Sequence, residues 1–365
     1  MMNLGVYIHI PFCLKKCNYC DFVSYAYSDY EIYFDALKKE IELNLSLISE
    51  RNIDSVFIGG GTPSVVSHKY IGEILSYFKL SNDCEITIET NPKTLTIEKL
   101  KAYKEYGINR ISIGMQSAND NELKVLGRIH NFYDFLKSYE LITNAGFYNI
   151  NIDTMFGIPE QTFESFKNTL YEVKKLDPAH ISSYSLIIEE NTPFYTMDLN
   201  LPGEETERKM FECLASTLNG YKRYEISNYA KKGYECRHNI KYWQMEDYLG
   251  IGLNSHSFIK DTRYSNFSNM NDYISSIKEG RKPLNEMVKE DIDELAKDFV
   301  ITGLRMCKGI NLDEYKIRFK KDFLTQNNEK IIKYIDMGLM DLKEKNLFFT
   351  EKGFSVSNYI LSDFI

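Results

Sequence analysis

The chain has a single tryptophan among 365 residues, only six histidines, and no stretch approaching the ~20 consecutive apolar residues that a membrane span requires. A helical membrane protein is therefore not expected. The start, Met1-Met2-Asn3-Leu4-Gly5-Val6, lacks the basic segment, long apolar run and small-residue cleavage site of a signal peptide, so the cytoplasm is the expected location. Positive charge is in deficit too: 44 Lys and Arg against 52 Asp and Glu leave a formal net charge of −8. That argues against a protein that coats nucleic acid. No second CxxC pair and no His pair accompany the clustered cysteines, as a zinc site would require. There is no internal motif repeat and no low-complexity segment.

What is present is the balance of a soluble globular protein, with 43% hydrophobic and 26% charged residues. The length suits one large domain plus a smaller one, and a core of that size needs no disulfide or metal to hold it. The 27 Tyr and 22 Phe read mostly as core packing, although such rings also stack on flat ligands. Seven cysteines is an odd number, and three of them fall between residues 13 and 20. In a reducing compartment such clustering points to metal or redox chemistry.

Short β-rich runs alternate with longer amphipathic segments. Strands are expected at 6–10, 55–58, 85–89, 110–113, 149–153 and 180–185, and helices at 30–48, 68–78, 97–106, 132–145 and 162–176. Successive strand-then-helix units imply a parallel sheet with helices outside, wound by right-handed crossovers into a barrel or part of one. In such barrels chemistry sits at the C-terminal strand ends. After about Pro193 the alternation fades. Residues 201–218 read as a charged helix, 224–258 as irregular and rich in Tyr, Asn and His, and 289 onward as a small α+β C-terminal domain. The expected fold is thus α/β, a partial (β/α)6 TIM-like barrel with a smaller α+β domain, divided at 1–235, 236–288 and 289–365.

Cys13-x3-Cys17-x2-Cys20 follows the first strand. Cys thiolates hold iron–sulfur clusters. A four-iron cubane on three cysteines leaves one iron open for an external chelate. Polar or glycine motifs recur at the other strand ends: Gly59-Gly60-Gly61-Thr62-Pro63, Glu89 in Glu89-Thr90-Asn91-Pro92, Gln116 after Gly114-Met115, and Asp153 in Asp153-Thr154-Met155. Arg128 lies in Leu126-Gly127-Arg128-Ile129-His130. Each has an ordinary structural alternative as a cap, ion pair or solvated amide, but their repeated placement at one end of the sheet favours a shared site. Cys84, Cys213 and Cys307 have no partner spacing and read as structural, as do Cys236 and His9.

The CxxxCxxC motif, with Tyr19 before its last cysteine, resembles the signature of the radical SAM superfamily. The resemblance implies a 4Fe-4S cluster on Cys13, Cys17 and Cys20 that binds S-adenosylmethionine through its open iron. Electron transfer would then cleave the sulfonium to a 5′-deoxyadenosyl radical. It also implies cofactor-binding roles for Tyr7, Tyr19, Gly60, Gly61, Thr62, Glu89, Gln116, Arg128 and Asp153. Tyr7-Ile8-His9-Ile10-Pro11-Phe12-Cys13, the GGGTP run, Glu225-Ile226-Ser227-Asn228-Tyr229-Ala230 and His238-Asn239-x-x-Tyr242-Trp243 narrow it to the oxygen-independent coproporphyrinogen III oxidase-like group. That group holds true oxidases (HemN) and heme chaperones (HemW). Phe22 in place of a fourth cysteine, the early cysteine motif and HNxxYW resemble the chaperone branch. On that resemblance heme is a third cofactor, with His238 and then His256 as candidate ligands. The implied partners are heme-accepting proteins and an electron donor such as flavodoxin or ferredoxin, with peripheral contact to a membrane during delivery, no nucleic acid, and a monomer or dimer. The alternative is decarboxylation of coproporphyrinogen III.

Overall fold

A computed structural model describes residues 2–25 and 30–364 of the chain. It begins β1 (Asn3–Ile10), α1 (Tyr30–Leu43), α2 (Leu45–Ser49), β2 (Asn52–Gly60), α3 (His68–Leu75), β3 (Leu80–Thr90), α4 (Ile97–Glu105), β4 (Arg110–Gln116) and α5 (Asp120–Val125). It continues through α6 (Phe132–Asn144), β5 (Ile150–Phe156), α7 (Phe163–Leu176), β6 (His180–Ser185), α8 (Glu204–Thr217), β7 (Lys222–Arg223) and β8 (Asn228–Ala230). The expected helix over 30–48 is broken at Asn44, whose side-chain amide donates to the Glu40 carbonyl at 2.9 Å and competes with the helix ladder.

β1 to β6 pair in parallel and in sequence order. Their two faces differ sharply. Leu4, Val6, Ile8 and Ile10 of β1, and Ile111, Ile113 and Met115 of β4, pack into the main apolar core. The alternate positions carry Ser55, Thr87, Glu89, Arg110, Ser112, Asn151, Asp153, His180 and Ser182, most of them buried. Period-two alternation in a parallel sheet covered by helices means that its other face lines a polar interior. This interior is internally satisfied in part: Asn151 Nδ2 donates to Ser112 Oγ (2.8 Å) and Asp153 Oδ1 (2.7 Å), while its Oδ1 meets His180 Nδ1 (2.6 Å).

The stretch expected to be irregular is ordered. It contains α9 (Arg237–Trp243), β9 (Tyr248–Ile251) and the start of β10 (His256–Ile259), and β11 (Thr262–Asn266), α10 (Met270–Lys278) and β12 (Leu284–Lys289) follow it. β9 pairs in parallel with β1, and an antiparallel series β10-β11-β12 extends from it, so one sheet of twelve strands runs β12-β11-β10-β9-β1-β2-β3-β4-β5-β6-β8-β7. β9, four residues long and paired to β1 far away in sequence, carries too little local pattern to be read.

The remaining chain forms α11 (Ile292–Gly303), β13 (Ile310–Asn311), α12 (Leu312–Phe319), α13 (Phe323–Asp336), β14 (Met340–Lys343), β15 (Asn346–Phe349), α14 (Glu351–Phe354) and α15 (Ser357–Ser362). A separate sheet, β13-β15-β14, belongs to this part. Its apolar core takes in Met245 and Phe258 from the preceding region, and Arg223 pairs with Glu351 at 3.0 Å. No helix among the described residues is long and apolar enough to cross a membrane.

Candidate functional site

The cysteine loop is pinned at three places. Phe12 bridges to Tyr25, with Cys13 N donating to Tyr25 O at 2.9 Å. His9 Nε2 lies 3.0 Å from Val23 O, and its Nδ1 lies 3.1 Å from the Tyr7 hydroxyl. Asn18, between the cysteines, donates from its side chain to Val125 O (2.8 Å) and from its backbone to Leu126 O (3.0 Å). His9 is therefore the structural support expected of it.

Cys13, Cys17 and Cys20 are free thiols that line one cavity of about 420 Å³ at the C-terminal strand ends. Tyr19, Gly60, Gly61, Thr62, Glu89, Gln116, Arg128 and Asp153 line the same cavity, as do Asn91, Phe22 and Tyr184. Arg128 ties its walls together: Nη1 donates to Cys17 Sγ at 3.6 Å, and Nη2 to Gly114 O at 2.8 Å and to Asn91 Oδ1. Asn91 Nδ2 in turn donates to Thr62 Oγ1 at 2.7 Å, which sits 3.5 Å from Cys13 Sγ. A Cβ at Gly114 would meet Asn91 Oδ1 at 2.8 Å and Arg128 Nη2 at 3.2 Å, so a larger residue there would displace both side chains. A register irregularity in β4 beside it accompanies the left-handed φ of +69° at Gln116.

The electrostatics are those of an enclosed polar site. Burial, with Asp153 adding to it, pushes the Glu89 carboxyl up to about 8 against the pull of the Gly60 N–H at 3.1 Å. Burial also raises Asp153, although Asn151 and Ser112 donate to it. Burial raises the Cys13 thiol and pushes Cys20 up to about 11. Thiolates here therefore call for added positive charge, which a bound metal centre supplies. Among the described residues no three Cys, His, Asp or Glu side chains converge on a single ion. Three thiols spread around one cavity suit a multi-iron cluster, whose cysteine ligands bind separate irons. Arg128 Nε is buried without a hydrogen-bond partner, on a residue lining the same space. The residues thus fit a cluster with a chelating, amphoteric ligand.

Tyr7 does not line the cavity; it stacks on Phe57 and holds His9, and its phenol is raised by burial and then by Glu89. The two heme candidates lie elsewhere. α9 plugs the opposite end of the barrel: Glu85 accepts from the N–H groups of Arg237 (3.2 Å) and His238 (3.1 Å), and Lys241 pairs with Asp54 at 2.9 Å. His238 is fully buried, with Nδ1 2.9 Å from Ser55 Oγ and Nε2 2.8 Å from the Tyr242 hydroxyl. Burial lowers it to about 3. Both nitrogens of His238 are engaged within the protein, and the ring anchors α9. His256 is exposed on β10 and lines neither the cysteine cavity nor the cavity beside Trp243. Sequence reasoning missed Asn18, Asn91 and Tyr184. Asn91 stood within a quoted motif and Asn18 between the ligand cysteines, which was their only signal.

Comparison with known proteins agrees with this geometry. Residues 7–172 match the model of the radical SAM superfamily, and residues 291–356 that of the HemN C-terminal domain. The chain is 39% identical to the heme chaperone HemW of Buchnera aphidicola subsp. Schizaphis graminum, covering 99% of this chain and 98% of that protein. It is 33% identical to the heme chaperone HemW of Bacillus subtilis, covering 99% of each. Among solved structures, coproporphyrinogen III oxidase (HemN) from Escherichia coli superposes with a TM-score of 0.87 at 24% identity, covering 100% of this chain and 90% of that one; this is a likeness of fold.

Proposed function

Because the chain belongs to the heme chaperone HemW family of the radical SAM superfamily, we propose that it binds heme and hands it to acceptor proteins while carrying a 4Fe-4S cluster and S-adenosylmethionine. One observation supports the cofactor assignment most strongly. The three thiols and eight further residues expected from the motifs face one cavity. Cys13, Cys17 and Cys20 hold the cluster, which supplies an electron and an open iron when bound. Arg128 and Asn91 orient the cofactor's carboxylate, Gly60, Gly61 and Thr62 receive its methionine part, and Glu89 and Asp153 accept from its amine and ribose groups. Gln116 and Tyr19 close the walls. Residues 1–235 form the cofactor unit, 236–288 a connector whose strands extend the same sheet, and 289–365 the C-terminal domain. The protein works in the cytoplasm, receives electrons from a small carrier such as flavodoxin or ferredoxin, and touches membranes only peripherally.

Decarboxylation of coproporphyrinogen III is the competing activity. Phe22, 57% exposed, occupies the cavity rim where the oxidases bring a further cysteine, which favours the chaperone reading. The test is an anaerobic heme titration of cluster-reconstituted protein with coproporphyrinogen III turnover assayed on the same sample. Saturable heme binding without turnover is expected; turnover with weak heme binding would overturn the reading.

A further inference from the structure

Lysine is poorly placed in the first turn of a helix, where the macrodipole repels a cation. Lys99 stands in the first turn of α4. Thr96 caps that helix by accepting from the Lys99 N–H at 3.2 Å, and the position where a capping box would carry Glu or Gln holds Lys instead. The side chain does not run out into solvent. Its ammonium donates to Ser64 O at 2.5 Å, to Thr94 O at 3.1 Å and, more weakly, to Val65 O at 3.5 Å. Lys99 is half-buried and forms no ion pair among the described residues, and burial lowers its pKa. Three main-chain acceptors thus take the three protons of one ammonium.

Those acceptors lie in two turns that carry residues of the cysteine cavity. Ser64 and Val65 end the single 3-10 turn Pro63–Val65, which directly follows Thr62. Their carbonyls are the orphan acceptors of that helical end. Thr94 closes the turn after β3: its N–H and its hydroxyl donate to Asn91 O at 3.3 and 2.7 Å. The two turns also meet directly. Ser64 Oγ lies 2.5 Å from Thr94 Oγ1, and Asn91 Nδ2 donates to Thr62 Oγ1 at 2.7 Å. Thr62 and Asn91 line the cavity; Ser64, Thr94 and Lys99 do not, and stand behind its wall.

We infer that Lys99 is a positioning residue for S-adenosylmethionine: by clamping the two turns from behind, it holds Thr62 and Asn91 where they receive the methionine end of the cofactor. The inference rests on the cofactor assignment proposed above and adds a residue that does not touch the cofactor. The same helix carries a comparison. Lys104, in the last turn of α4, donates to Ala145 O at 3.1 Å and Gly146 O at 2.9 Å at the end of α6. That is the helix end where the dipole favours a cation, and Ala145 and Gly146 do not line the cysteine cavity. The two lysines share their chemistry and differ in what the carbonyls they hold support.

The test compares Lys99→Met with Lys104→Met in full-length, cluster-reconstituted protein. S-adenosylmethionine binding is measured by anaerobic equilibrium dialysis, beside iron content and urea unfolding. Methionine keeps an apolar stem and removes the donors. Lys99→Met should bind S-adenosylmethionine at least tenfold more weakly at unchanged iron content, because binding must then order the two turns. Lys104→Met should lose stability alone and bind as wild type does. Lys99→Arg, which keeps a cation with several donors, should recover most of the loss. Thr94→Val removes the hydroxyl link between the turns, should weaken binding in the same direction, and remains testable if Lys99→Met fails to fold. Wild-type affinity in Lys99→Met or Thr94→Val, an equal loss in Lys104→Met, or no recovery in Lys99→Arg would overturn the positioning role and leave the proposed function intact. Wild-type protein that does not bind S-adenosylmethionine would sink the cofactor assignment as well.

Discussion

Gly60→Ala should lower the stability of the protein and the occupancy of its cluster together. Gly60 ends β2 at φ +106°, and an added Cβ would lie 2.5 Å from both Nδ1 and Cε1 of His9. The backbone term is about 1–2 kcal/mol for an alanine forced to positive φ. The His9 ring, 3% exposed and held between the Tyr7 hydroxyl and Val23 O, must also move. Breaking two hydrogen bonds and leaving their partners buried adds about 2–3 kcal/mol. The sum, roughly 3–5 kcal/mol, is a large share of the ~5–15 kcal/mol typical of a domain. Val23 lies in the cysteine loop, so its release should loosen the ligands, and iron content should fall with stability. Gly233→Ala is the matched comparison: φ is +87° and nothing lies within 4 Å of its Cβ position, so it bears the backbone term alone. Urea midpoints with iron and sulfide analysis measure both variants. Equal losses in the two, or Gly60→Ala protein with full iron content, would refute the coupling of Gly60 through His9 to the cluster loop.

Other expectations follow from the same geometry. Arg128→Lys replaces a guanidinium that spans Cys17, Asn91 and Gly114 with a single ammonium, so S-adenosylmethionine should bind at least tenfold more weakly at unchanged iron content, measured by equilibrium dialysis. Cys13→Ala should abolish the brown colour and the iron complement; retention of both would remove that residue from the ligand set. His238→Gln should lower the unfolding free energy, measured by urea titration, by about 2 kcal/mol through lost contacts to Ser55 and Tyr242, and leave the spectrum of bound heme unchanged. The cofactor-free protein should be most stable near pH 5–6. Glu89 at about 8 and Glu40 and Glu225 at about 7 bind protons in the folded state that the unfolded chain has released, so stability falls as pH rises from ~4.5 through 8. His9 at about 4 and His130 and His238 at about 3 work in the other direction, and stability falls as pH drops below ~6.5. A urea-midpoint profile still rising above pH 7 would contradict this.

The α/β alternation from β1 to β6 was legible because each strand is long enough to show its period and each crossover helix its stripe. The cysteine cavity was legible for the same reason: its residues sit at strand ends that the alternation locates. What stayed hidden depends on distance in sequence. β9 pairs with β1 across some 240 residues and is only four residues long. α9 has no amphipathic signature of its own; Glu85 and Ser55 fix it from other strands. The hydrogen bonds that His238 makes to Ser55 and Tyr242 were hidden too, because burial and side-chain pairing across elements are tertiary facts. Trp243 drew attention as the only tryptophan, yet the cavity it lines needs Met306 and Arg318 from elements far along the chain.

The measurement that bears most directly on the chaperone account is heme hand-over. Heme-loaded, cluster-reconstituted protein is mixed with increasing amounts of a heme-free b-type cytochrome, and the acceptor's spectrum is followed in time. A chaperone transfers heme through contact with its partner, so the rate should rise with acceptor concentration. A rate independent of acceptor and equal to heme loss into solution would mean that the protein stores or senses heme and does not deliver it.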